Sequence, residues 1–149
     1  MQENQPLINF LNQQVSNFAV LYVKLHRYHW FIQGPHFFGL HKKFEELYEL
    51  TAEYMDELAE RVLAIGGKPL ATMSKFLDET TLTEAEADDK EREMLGELHA
   101  DLMQIAAECK EGEDLCDEYG DQPSADLLIR LEGELEKHAW MIRATIAEK

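Results

Sequence analysis

Residues 38–65 read FGLHKKFEELYELTAEYMDELAERVLAI. Leu40, Phe44, Leu47, Thr51, Met55, Leu58, Val62 and Ile65 recur in steps of three or four, which places them along one side of a single helix. Gly66-Gly67-Lys68-Pro69 follows at once and stops it. The same period runs upstream through Leu7, Leu11, Val15, Phe18, Tyr22, Leu25, His29 and Ile32, and Gly34-Pro35 breaks it before the next helix begins. Downstream, Thr83-Glu84-Ala85-Glu86 has the form of a capping box and is expected to open a third helical segment, which stops at Tyr119-Gly120. A fourth segment is expected to start at Pro123, a residue suited to a first helical turn, and to run close to Lys149.

Four long helices with one long crossover, from 66 to 83, describe an all-α, ferritin-like four-helix bundle. The apolar stretch 73–77 is expected to add a short extra helix of a turn or two within that crossover. No alternating run and no hairpin dipeptide argues for strands. The 149 residues suffice for one domain, 1–149, with MQENQP, residues 1–6, as a short polar tail.

The charge balance narrows the partners. Thirty acidic residues against fourteen lysines and arginines give a formal net charge of −16. Such a surface repels nucleic-acid phosphate and anionic lipid and attracts cations. Cys109 and Cys116 stand seven apart in a helical stretch, about 10 Å along the axis, too far to bridge. They read as buried reduced thiols. With no charged-then-apolar leader and no apolar run of membrane-spanning length, the expected location is the cytoplasm.

The residues that carry chemistry lie on the first two helices: His29, His41, Glu45, Asp56 and Glu60. His41 and Glu45 are four apart, and so are Asp56 and Glu60. At about 100° per residue the four fall near 0°, 40°, 60° and 100° around their helix, so they share one face beside the apolar stripe. Each i,i+4 pair can grip one ion. Yet His41 and Asp56 are about 22 Å apart along a straight helix, and metal–ligand bonds are about 2 Å long. One helix therefore carries two half-sites. A two-fold axis near its middle would set the Asp56 and Glu60 of an antiparallel copy against His41 and Glu45, twice over. His29 can approach His41 from the preceding helix. Two imidazoles with three carboxylates suit a mid-row divalent metal, and acidic ligands favour Fe(III) over Fe(II). Read one at a time, Glu45, Glu49, Glu53, Glu57 and Glu60 describe equally a solvated acidic face, with Glu57 paired to Arg61. No histidine has an acid three residues before it, which disfavours a di-iron centre inside one bundle.

The runs KLHRYHWFIQGPHFFGLHKKFEELY (24–48), MDELAERVLAIGGKP (55–69) and EKHAWM (136–141) resemble those of the Dps family of mini-ferritins. The resemblance spans nearly the whole chain. It implies a two-iron ferroxidase centre between two-fold-related subunits, with His29, His41 and Glu45 from one chain and Asp56 and Glu60 from the other. Some family members carry Asp where this chain has Glu45. It also implies a dodecameric homo-oligomer that oxidises Fe(II), with hydrogen peroxide as preferred oxidant, stores ferric oxide inside and protects DNA from oxidative damage. By the same analogy Trp30 is either a nearby electron donor or a packed interface aromatic, with Trp140 more firmly structural. Asp121 and Asp126 match acids lining pores on the three-fold axes, or else cap the last helix. Glu45, Glu49 and Glu53 remain open between nucleation and interface roles.

Two other functions compete. One is DNA binding and compaction, which family members perform with a basic terminal tail. Here no Lys or Arg precedes Leu7 and only Lys149 ends the chain, so direct DNA binding is not expected. The other is a non-catalytic cage.

Overall fold

The structure is a computed structural model and describes residues 3–85 and 90–147. The described residues form five helices: α1 Gln5–Phe31, α2 Phe37–Ala64, α3 Met73–Glu79, α4 Glu91–Glu118 and α5 Gln122–Ile146. α2 and α4 end alike. The Gly66 and Gly67 N–H groups donate to the carbonyls of Leu63 and Val62, and those of Gly120 and Asp121 to Asp117 and Cys116. Gly66 and Gly120 hold positive φ at these closures, the left-handed turn that a glycine adopts without penalty.

α1 pairs with α2 and α4 with α5, and α1 touches α4 and α3. Three polar side chains of α1 and one that precedes it lay the crossover along α1. Asn4 Nδ2 donates to the Ile65 carbonyl at 3.1 Å. Asn12 donates to the Lys68 carbonyl and accepts from Leu70 N–H, both at 3.0 Å. Buried Asn17 accepts from Thr80 Oγ1 at 2.7 Å and Thr81 N–H at 2.8 Å. Lys24 Nζ donates to the Thr83 carbonyl at 2.8 Å. The crossover thus climbs α1 from bottom to top, and α4 must descend, antiparallel to α1 and parallel to α2. Leu11, Phe18, Tyr28, Phe44, Leu58, Leu98, Ile105, Leu128 and Leu135, all fully buried or nearly so, fill the space between.

The short helix expected near 73–77 is α3, capped by Thr72, whose hydroxyl accepts from Lys75 N–H. The capping box expected at Thr83-Glu84-Ala85-Glu86 does not open the third long helix. Thr83 to Ala85 are non-helical, Glu86 lies outside the described residues, and α4 starts at Glu91. Lys24 takes the Thr83 carbonyl that a first turn would need, and the neighbouring Leu82 is buried in the core. Gln5 and Pro6 belong to α1, so the polar tail is shorter than 1–6, and its Met1 and Gln2 lie outside the described residues. α5 ends at Ile146, and Lys149 too lies outside them.

Cys109 and Cys116 are free and buried. Burial, followed by nearby carboxylates, pushes their thiols up to about 12 and about 11, so neither is a thiolate at neutral pH. No helix among the described residues is long and apolar enough to cross a membrane.

Candidate metal centre

The end of α1 and the beginning of α2 bring His29 and His41 face to face. Their ring centroids are 3.7 Å apart and their planes differ by 12°. His29 Nδ1 lies 2.6 Å from the His41 carbonyl, and His41 Nδ1 lies 2.7 Å from the His29 carbonyl. A carbonyl oxygen only accepts, so each Nδ1 carries the proton and donates. In neutral imidazole that leaves the lone pair on Nε2 of both rings, the tautomer a metal ligand needs.

The stacking also limits what one ion can do. An imidazole lone pair lies in the ring plane and meets a metal at about 2.0–2.1 Å. Two nearly parallel rings in van der Waals contact cannot both aim at one ion in both planes.

Glu45, one turn after His41, places Oε1 3.9 Å from His29 Nε2; its side chain is 48% exposed and that of His29 9%. Asp56 and Glu60 are exposed further down α2. α2 is continuous from Phe37 to Ala64, so Asp56 stands about 22 Å from His41 along the axis. Among the described residues, no three His, Cys, Asp or Glu side chains come together as a cage for an ion. The structure thus pairs His29 with His41, sets Glu45 within 3.9 Å of His29 Nε2, and leaves Asp56 and Glu60 apart from them within one chain.

Aromatic rings surround the imidazoles, and sequence reading had not singled most of them out. Phe37 lies nearly parallel to His41 at 4.9 Å and 19°. Tyr48 meets His29 edge-on at 5.4 Å and 89°. His26 stacks on Tyr48 at 3.7 Å, with Nδ1 donating to the Tyr22 carbonyl. Trp30 is 67% exposed, and its ring meets His26 at 5.3 Å. Ring contacts thus connect Trp30 to His29 through His26 and Tyr48, besides the peptide bond that joins the two residues. Phe37 and His41 stand at i,i+4, a spacing that could have flagged the pair.

The two pore candidates differ. Asp121 is the N-cap of α5 and accepts from Ser124 N–H at 3.0 Å, Ser124 Oγ at 2.6 Å and Arg61 Nη2 at 3.0 Å. Burial alone would raise its pKa. The Ser124 bonds and the Arg61 guanidinium outweigh that and hold the carboxyl below its usual range. Asp126 is exposed and accepts an amide bond from Gln122 of its own helix, at 2.8 Å. Arg61 is engaged with Asp121 and Ser124, so the expected Glu57–Arg61 pair does not form, and Glu57 pairs with Arg130 of α5 instead. Trp140 is also exposed on one chain.

A family model described as a ferritin-like domain matches residues 8–148. The chain is 47% identical over 141 residues to general stress protein 20U of Bacillus subtilis (strain 168), across 95% of this chain and 97% of that protein. It is 45% identical over 141 residues to DNA protection during starvation protein 2 of Bacillus anthracis, again across 95% and 97%. Its fold superposes on the crystal structure of a Dps protein from Bacillus brevis with a TM-score of 0.96 and 44% identity, over 99% of this chain and all of that one.

Proposed function

This chain belongs to the Dps family of ferritin-like proteins, and we propose that it is a ferroxidase subunit whose iron sites are completed by a second copy. The observation that carries the reading is the crossed imidazole–carbonyl latch between His29 and His41. It leaves two Nε2 lone pairs beside Glu45, while the remaining acids of the same face, Asp56 and Glu60, stand out of reach on a rigid helix. A two-fold axis across α2 brings a partner's Asp56 and Glu60 to that corner, and makes two such centres per dimer.

Fe(II) is the substrate. His29 and His41 each offer one Nε2 to an ion of their own, and Glu45, Asp56 and Glu60 supply the anionic oxygen that favours the ferric state. Hydrogen peroxide accepts two electrons on its way to water, and each Fe(II) gives one. Two irons held side by side therefore consume the oxidant without releasing a hydroxyl radical. The ferric product is stored inside a dodecameric shell in the cytoplasm, and DNA is protected by removal of iron rather than by contact. Asp126, with its exposed carboxylate, is the stronger of the two pore acids, because Asp121 is committed to capping α5. Trp30 serves as a structural aromatic at the subunit interface, or as an electron donor working through His26 and Tyr48.

Complementation tests the sharing. Chains with His29→Gly and His41→Gly keep only the acid half-site. Chains with Asp56→Asn and Glu60→Gln keep only the imidazole half-site. Each alone should assemble and oxidise Fe(II) slowly, as followed by ferric absorbance after anaerobic addition of Fe(II) and peroxide. Refolded together in equal amounts, half of the dimers are mixed and each has one intact centre, so about a quarter of the wild-type initial rate returns. No recovery, or full activity in an isolated monomer, defeats the proposal.

A further inference from the structure

We propose that Phe37 is a positioning residue for His41, and that it governs the ion held by His41 without governing the one held by His29. The inference rests on the shared two-ion centre above and adds a separate device for each imidazole.

The His41 ring is the middle plate of three. His29 covers one face at 3.7 Å and Phe37 covers the other at 4.9 Å, with planes 12° and 19° away. Phe37 is itself fixed. It is the first residue of α2, its N–H donates to the Gly34 carbonyl at 3.1 Å, its ring is half-buried against the core, and Phe38 meets it edge-on at 5.4 Å. His41 is only partly buried and its Nδ1 bond restrains one edge of the ring. Without a plate on its outer face, the imidazole can swing about that bond, and Nε2 leaves the direction it shares with the incoming ion.

His29 has other supports. It is buried, its Nδ1 is tied to the His41 carbonyl, and Tyr48 closes its flank edge-on. Phe37 is separated from it by the full thickness of the His41 ring. Two parallel imidazoles serve two ions, so a change at Phe37 should reach one of them. Groups that orient a ligating histidine typically alter metal affinity by about 10- to 100-fold when removed.

The test is a Co(II) titration of the assembled wild-type cage and its variants, read by calorimetry and by the cobalt d–d absorption. The wild type should take up two ions per centre. Phe37→Leu should weaken one of them by about tenfold or more and shift its absorption bands, while the other stays within about twofold. Phe37→Tyr, which keeps the plate, should restore both. His41→Gly should abolish the same binding phase that Phe37→Leu weakens. Phe37→Met carries the same test should Phe37→Leu fail to assemble. Equal weakening of both phases, or no change in either, overturns the role of Phe37 while the shared centre stands. A wild-type cage that binds a single ion per centre removes the two-ion reading and this inference together.

Discussion

Arg61, in the last turn of α2, holds the Asp121 carboxylate at 3.0 Å, and through it the first turn of α5. The same guanidinium donates to Ser124 Oγ at 2.8 Å, so one side chain ties the bottom of the α1–α2 pair to the bottom of the α4–α5 pair.

Asp121→Asn should therefore act on stability before it acts on iron. The variant keeps a capping oxygen but loses the charge of a carboxylate that accepts three hydrogen bonds from Ser124 and Arg61, at a cost of about 1–2 kcal/mol near pH 7. The sign with pH follows from the lowered pKa. A carboxyl depressed in the folded state stabilises above its unfolded pKa, about 3.9, and loses that contribution as pH falls through the folded value. The gap between wild type and variant, measured by denaturant titration, should stay level from pH 7 to 5 and close below about pH 4. A gap that widens on acidification is the contrary result.

Gly112 faces the Phe10 ring across the α1–α4 contact. A Cβ there would overlap that ring and stand 2.9 Å from Leu128 Cδ1, whereas one on Gly96, in the same helix, meets nothing within 4 Å. Alanine is favoured over glycine in a helix interior by about 1 kcal/mol, but overpacking a core costs about 1–3 kcal/mol. Gly96→Ala should raise the melting temperature and Gly112→Ala should lower it. The same sign for both would mean that Phe10 moves aside freely.

Much of this molecule could be read before it was seen, because its helices are long and their periods unbroken. Leu40, Phe44, Leu47, Leu58 and Val62, picked out by spacing alone, are all buried. The separation of His41 and Glu45 from Asp56 and Glu60 follows from the rise of a helix, which needs no tertiary knowledge. What stayed hidden depends on partners far away in the chain. Nothing local marks Asn12 or Asn17 as the pegs of the crossover, since an asparagine in a helix reads as indifferent until its partners at 68, 70, 80 and 81 are known. The start of α4 is hidden for the same reason: a sound local capping pattern at Thr83 loses to a lysine 59 residues earlier. The tautomers of His29 and His41 are equally illegible, because each is set by the other's backbone.

Charge predicts the behaviour toward DNA. With a formal net charge of −16 per chain, a phosphate backbone is repelled, and at about 0.15 M salt the screening length of about 8 Å leaves only local patches to act. The assembled protein should give no mobility shift of duplex DNA at that salt, at micromolar protein. A tight shift would falsify protection by iron removal alone.

Lys24 offers the most severe test of the packing at the top of the bundle. It is 2% exposed, and its ammonium lies 2.5 Å from Asp101 Oδ2 and 3.1 Å from Glu97 Oε1. Tyr28 donates to the same Glu97 oxygen at 2.7 Å. Burial raises the Asp101 pKa, and Lys24 offsets this only in part, with Glu97 adding to the rise. A carboxyl whose folded pKa is raised weighs against the fold when it ionises, so its contribution worsens as pH rises through the folded value. Lys24→Met removes the cation and leaves Asp101 buried without it, which should cost about 3–5 kcal/mol at pH 7. The cost should shrink at pH 5, where Asp101 takes a proton more readily folded than unfolded. Asp101→Asn added to Lys24→Met should recover part of the loss, because it removes the charge that lost its partner. If the single variant loses the same stability at both pH values, and the second change recovers none, then Lys24 acts only as the peg for Thr83 and not as the counter-charge of the buried acids.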